Sequence, residues 1–261
     1  MDESLPSGLN GKKVFFVQPS SVIQKEMVAE LIRQEYEVLL IPEAKQARKV
    51  FTKYPDCLAF LNLDDGFTEE EWAAFVRECQ DHPVLRSVKV GILTYNSDPE
   101  LQRKYLMELM VPCGFIKLSL RLAESTAIVA KVLEANEARG RRRYLRVHCG
   151  DNTRLNLRLA SGVVEGRILD ISSVGMACVL KSGTELKLHS VLDSIQLQLK
   201  GSLCLVNGVI MGSRPVEGSN EIAYIVLFDH KMPPTQREKI RNYLQWALQT
   251  SIEADLRSKE S

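Results

Sequence analysis

The sequence predicts two structural classes in one chain: an α/β half built on a parallel sheet, then an antiparallel β half closed by a terminal helix. Three observations carry this reading. Up to about residue 138, short apolar runs alternate with amphipathic helical patterns. Residues 139–146 then read Arg-Gly-Arg-Arg-Arg-Tyr-Leu-Arg, with five arginines in eight positions. From about 144 to 230, two-residue alternation punctuated by glycine replaces the helical pattern. At 261 residues the chain has room for two domains of ordinary size, and its 45% hydrophobic content excludes disordered or low-complexity classes. Lys and Arg exceed Asp and Glu by only one, 34 against 33, so any electrostatic function must be local.

Residues 1–11 are expected to form a flexible, acidic and polar tail without the basic start and apolar stretch of a secretory signal. No apolar run approaches the roughly 20 residues of a membrane helix. The six cysteines, Cys57, Cys79, Cys113, Cys149, Cys178 and Cys204, form no C-x-x-C pair. Scattered His82, His148, His189 and His230 supply no metal-ligand spacing. Reduced thiols, no metal and a cytoplasmic location are the expectation.

Across 12–138 the apolar runs are Val14–Val17, Val38–Ile41, Cys57–Leu61, Val88–Leu93 and Phe115–Leu118. Apolar nearly throughout, they fit strands covered on both faces. Between them, Thr68 and Glu71 predict a capping box ahead of Trp72, Phe75, Val76 and Cys79 at helix-face spacing. Asp98 followed by Pro99 marks another helix start, and Leu122, Val129, Val132 and Leu133 lie on a helix running to about Ala138. Strand–helix repetition of this kind implies a parallel sheet with helices on both sides.

Residues 147–252 predict a small β barrel with a helix. Alternating segments occur at Arg154–Leu159, Ser194–Leu199 and Ile222–Phe228, punctuated by Gly150, Gly162, Gly183, Gly201 and Gly218. After a turn at Pro233-Pro234, Thr235 and Glu238 read as a second capping box. Ile240, Tyr243, Leu244, Ala247 and Leu248 then form one core-facing stripe, and 253–261 reads as a flexible tail.

The arginine run at 139–146 is a concentrated anion site joining the two halves. A guanidinium fork can grip phosphate, take a guanine edge or stack on a purine. Farther on, Gly166-Arg167-Ile168-Leu169-Asp170-Ile171-Ser172-Ser173-Val174-Gly175-Met176 reads as a strand, a polar turn and a returning strand. Asp170 can accept hydrogen bonds from guanine N1–H and N2–H2, Ser172 offers a small hydroxyl, and Gly175 permits close backbone approach or positive φ. Many turns contain these residues for conformational reasons alone.

Taken together, Arg142-x-x-x-Arg146, preceded by Arg141, and Asp170-x-Ser172-x-x-Gly175 resemble the two-part signature of PilZ domains. The resemblance extends over about 140 to 250, with Val206–Val209 and Tyr224–Phe228 similar to later family strands. Val226 stands where the family usually has Gly. The resemblance implies a β barrel that binds cyclic di-GMP. Arg142 and Arg146 would lie on phosphates and guanine faces, Arg141 would be a further phosphate contact, and Asp170 and Ser172 would read a guanine edge. Gly175 would keep the turn open.

The α/β half resembles a response-regulator receiver, a flavodoxin-like fold, with Lys117 and Thr94 at the matching positions. The acids that hold Mg²⁺ there are missing: Val17-Gln18-Pro19-Ser20 follows the first strand, and Leu61-Asn62 stands where the phosphate acceptor belongs. Asp64 and Asp65 follow two or three residues late. The expectation is a degenerate receiver kept for contact with a protein partner, and no enzyme, since no nucleophile elbow, P-loop or paired catalytic carboxylates are evident. The chain then reads as a cyclic di-GMP effector that changes its interdomain arrangement on binding and signals to a partner in motility, exopolysaccharide or virulence control. Two rival readings are a nucleic-acid binder acting through the arginine run and a response regulator phosphorylated at Asp64. The near-zero net charge and lack of an aromatic platform stand against the first.

Overall fold

The computed structural model describes residues 11–119, 121–150, 153–159, 162–181 and 184–257. The chain divides into two compact units, Met1–Arg143 with Ile252–Ser261, and Tyr144–Ser251.

In the first unit, β1 (Val14–Val17), β2 (Val38–Ile41), β3 (Leu58–Asn62), β4 (Lys89–Thr94) and β5 (Phe115–Lys117) form a parallel sheet in the order β2-β1-β3-β4-β5. Alternation sends neighbouring side chains to opposite faces. Phe16 joins a core with Phe60, Met27, Leu31 and Val129, bringing in the helices Ala29–Arg33 (α1) and, later in the chain, Leu122–Ala135 (α5). Phe15 faces the other way, with its ring centroid 6.0 Å from that of Phe51 on α2 (Ala47–Lys53). Phe51 in turn meets Phe75 on α3 (Glu69–Asp81) at 6.1 Å. The sheet is covered on both faces, which explains its uninterrupted apolar strands.

The capping box forms as its spacing predicts: Thr68 Oγ1 accepts from Glu71 N, and Glu71 Oε2 accepts from Thr68 N. Asp98 accepts from Glu100 N at 3.0 Å and caps α4 (Pro99–Arg103), with Pro99 at its first position. Two helical segments wind as π turns, Ile23–Val28 ahead of α1 and Lys104–Glu108 after α4. Side-chain periodicity over so short a span does not separate π from α winding.

In the second unit, β7 (Arg154–Leu159), β8 (Gly162–Ser172), β9 (Gly175–Leu180), β10 (Val191–Leu199), β11 (Ser202–Pro215) and β12 (Ile222–Phe228) close an antiparallel barrel, β8-β7-β10-β11-β12-β9 and back to β8. A short β6 (Arg146–His148) continues beyond β7 along the same edge of β8. The interior contains Met176, Cys178, Ile195, Leu197, Val206, Tyr224 and Val226, and α6 (Pro234–Arg257) packs Ile240, Tyr243 and Leu244 against it. Lys200 and Gly201, both at positive φ (45° and 77°), form the two-residue hairpin between β10 and β11.

Three details differ from the sequence reading. Helix α6 starts at Pro234, so Thr235 lies inside the first turn and does not cap it; the fixed φ of Pro suits the first helical position. The helix continues to Arg257, past the 252 boundary, because Glu253 and Ala254 favour helix and nothing there breaks it. Strands β8 and β11, expected only from Gly166 and over Val206–Val209, run to 11 and 14 residues. Gly183, read as a turn marker, lies outside the described residues, as do 1–10 and 258–261 of the two tails.

Candidate functional site

Two places invite chemistry, one in each unit. In the parallel sheet the strand order reverses between β1 and β3, and the crevice beyond their C-terminal ends is where open α/β sheets hold ligands. Neutral amides occupy it here. Asn62 Nδ2 donates to Gln18 O at 2.8 Å, while Gln18 Oε1 accepts from Ala44 N at 3.0 Å. Asp64, just past β3, is also engaged: Oδ1 accepts from the buried Thr94 hydroxyl, and Oδ2 accepts from Tyr95 N at 2.8 Å. Lys117 is exposed. Among the described residues, no group of three or more His, Cys, Asp or Glu side chains could hold a metal ion.

The barrel site starts from a bulge in β8. Ile168 pairs with Cys178 and Asp170 with Ala177, so Leu169 is an extra residue. Cys178 and Met176 point into the core, which places Ala177 and its partner Asp170 on the outer face. Opposite, β6 pairs Arg146 with Ser172 and His148 with Asp170. Arg146 therefore reaches Asp170 along the diagonal of the ladder, with Nη1 3.1 Å from Oδ1. The approach is off the N–H direction, and Oδ1 is left buried without a hydrogen bond. A second guanidinium, that of Arg214 on β11, lies 3.9 Å from Oδ2. The Asp170 side chain is 6% exposed, against 35% for Arg146 and 62% for Arg214. An ionised carboxylate this buried needs cationic neighbours, and it has two.

The turn after Asp170 is tightly held. Ser172 Oγ donates to Gly175 O at 3.1 Å and accepts from Val174 N at 3.4 Å, while Phe228 N donates to Val174 O at 2.8 Å. The serine hydroxyl is thus engaged in closing the turn. Gly175 is required by close approach: a Cβ there would stand 2.5 Å from Val226 O. Its φ lies outside the left-handed region. Val226, at the departure from the family pattern, sets Cγ1 2.7 Å from where a Cβ on Gly208 would be, so the valine fills the space that glycine leaves.

The arginine run is shared out. Arg139 stacks on Tyr36 in the first unit, its guanidinium carbon 4.7 Å from the ring centroid. Arg141 and Arg142 are exposed in the last residues of that unit, and Arg146 belongs to the barrel. Of the six predicted site residues, Arg146, Asp170, Ser172 and Gly175 come together on one corner of the barrel. Arg214 joins them without any local motif to announce it.

The sequence profile of the PilZ domain matches residues 140–246. Residues 140–246 are a PilZ domain. A search of curated proteins returns no match. Among solved structures, the chain is similar to the PilZ domain of YcgR from Escherichia coli with c-di-GMP, at 20% identity and a TM-score of 0.36, over 46% of this chain and 97% of that one. It is also similar to the MrkH–c-di-GMP complex of K. pneumonia, at 18% identity and TM-score 0.38, over 44% of this chain and 57% of that one. The Bacillus subtilis inhibitor of motility MotI/DgrA aligns at 14% identity and TM-score 0.35, over 43% and 52%. The chain thus spans little more than half of MrkH and MotI. The PilZ domain of this protein occupies its barrel unit, and the parallel-sheet unit precedes it.

Proposed function

We propose that this protein is a cyclic di-GMP effector whose PilZ domain holds the dinucleotide on the outer corner of the barrel around Asp170. One observation carries the reading: a carboxylate that is almost wholly buried, with one oxygen lacking a hydrogen bond, between two guanidinium groups. A guanine edge presents N1–H and N2–H2 side by side, the donor pair that a carboxylate accepts bidentately. Arg146, beside Asp170, would meet a phosphate or stack on a guanine face, with Arg142 and Arg141 completing the clamp. Ser172 and Gly175 act by fixing the turn that carries Asp170.

A dianion drawn to these arginines would reduce their mutual repulsion and order the 139–146 segment, which covalently joins the two units. In this reading the output is a changed interdomain arrangement, read by a protein partner of the receiver-like unit. That unit carries exposed Tyr95, Leu106, Met107 and Met110 close together in sequence. Calorimetry with cyclic di-GMP tests the binding step, with cyclic di-AMP and GTP as competitors. The reading expects one saturable site class that ignores both competitors. Equal binding of cyclic di-AMP would remove the role given to Asp170.

A further inference from the structure

We propose that Arg214 is a third cationic ligand contact, and that it is the guanidinium released from Asp170 when guanine arrives. This rests on the cyclic di-GMP reading above. Arg214 is 44 positions from Asp170 in sequence and reaches it because the barrel closes. On β11 it pairs with Ala223 of β12, which pairs with Val179 of β9. Tyr224 and Cys178 are core residues, so Ala223, Val179 and Arg214 face outward with Asp170 and Ala177. The floor between the two arginines thus holds Ala177 and Ala223 beside the larger Val179 and Ile225. Ala177 and Ala223 have no exposure at all, although they face outward.

Asp170 carries one negative charge against two arginines, leaving the corner one positive charge in excess before any ligand binds. Guanine N1–H and N2–H2 compete for the same oxygens that the guanidiniums now face. The partner that yields is the one held less closely, and Arg214 is both farther away, 3.9 Å against 3.1 Å, and more exposed, 62% against 35%. Once released, a guanidinium on this rim stands beside the incoming dinucleotide and can grip its phosphate. The exchange swaps one ion pair for another and leaves no charge buried alone.

The test titrates cyclic di-GMP into the full chain and its Arg214→Ala, Arg214→Lys and Arg158→Ala variants, at low and high salt. Arg158 is an exposed arginine of β7, away from the Asp170 corner, and serves as the charge control. Arg214→Ala should weaken binding about tenfold or more and flatten the salt dependence, with an unchanged melting temperature. Arg214→Lys should recover part of the loss, and Arg158→Ala should match the parent. A parent that binds while Arg214→Ala binds equally, with the same salt dependence, overturns the role of Arg214 alone. A parent that does not bind overturns this role together with the cyclic di-GMP reading.

Discussion

Asp64, just past β3, and Asp170, on β8, are both acids beside a strand end or bulge in their respective units, and their surroundings are opposite. Asp64 is exposed, yet both its oxygens are hydrogen-bonded, one to the Thr94 hydroxyl and one to the Tyr95 amide. Asp170 is buried, yet among the described residues Oδ1 has no hydrogen bond and the charge is faced by the guanidinium groups of Arg146 and Arg214. The first carboxylate is a brace between strand ends. The second is a buried charge faced by guanidinium groups, and in the proposed reading it is the acceptor that a guanine would meet. Asp64 follows the phosphoacceptor position of a receiver two or three residues late, and both its oxygens are taken. Hydrogen-bond satisfaction, more than exposure, separates a structural acid from a binding one.

The sharpest way to break this contrast is to remove each acid. Asp170→Ala should cost at least about a hundredfold in cyclic di-GMP affinity, because two charge-assisted hydrogen bonds at ~1.5–3 kcal/mol each are lost. Titration calorimetry measures it. Next in size is Gly175→Ala, whose Cβ would meet Val226 O at 2.5 Å. Overpacking there should lower the melting midpoint by several degrees, on the order of 1–3 kcal/mol, as read by circular dichroism.

Smaller again, Asp64→Ala should cost ~1 kcal/mol, chiefly by leaving the buried Thr94 hydroxyl without its acceptor. Incubation with acetyl phosphate and Mg²⁺ should add no label to the parent protein. A phosphoryl group stable at Asp64 would restore the response-regulator reading.

A further effect, confined to alkaline pH, should touch both units alike. Burial pushes the thiols of Cys79 and Cys178 up to about 12 and that of Cys113 to about 11, from an ordinary 9.0. Each folded thiol stays neutral while its unfolded counterpart ionises, so the unfolded state binds fewer protons above pH 9. The stabilisation is whole below pH 9 and falls as pH rises toward 11–12. Denaturant midpoints should decline across that window in the parent and less steeply in a Cys178→Ala variant. Parallel curves for the two proteins would contradict it.

Much of this fold was legible because its signals are local. Phe15 and Phe16 belong to a run apolar on both faces, and Thr68 with Glu71 marks a helix start within four residues. Arg142-x-x-x-Arg146 and Asp170-x-Ser172-x-x-Gly175 each fit inside a single strand end or turn. What stayed hidden depends on closure or register. Arg214 meets Asp170 only across β12 and β9, and no spacing rule spans that path. The engagement of Ser172 Oγ with Gly175 O follows from the turn geometry, which the residue names leave open. Val226 looked like a departure from the family pattern, and only the packing pairs it with Gly208 as an exchange of volume.

In the proposed reading Asp170 accepts the guanine and Asp64 is structural. The most direct measurement is calorimetric titration of cyclic di-GMP into the full chain, Asp170→Ala and Asp64→Ala under identical salt. Binding should be saturable and agree within about twofold for the parent and Asp64→Ala, and be weaker by at least about a hundredfold for Asp170→Ala. Undiminished binding to Asp170→Ala would contradict that reading.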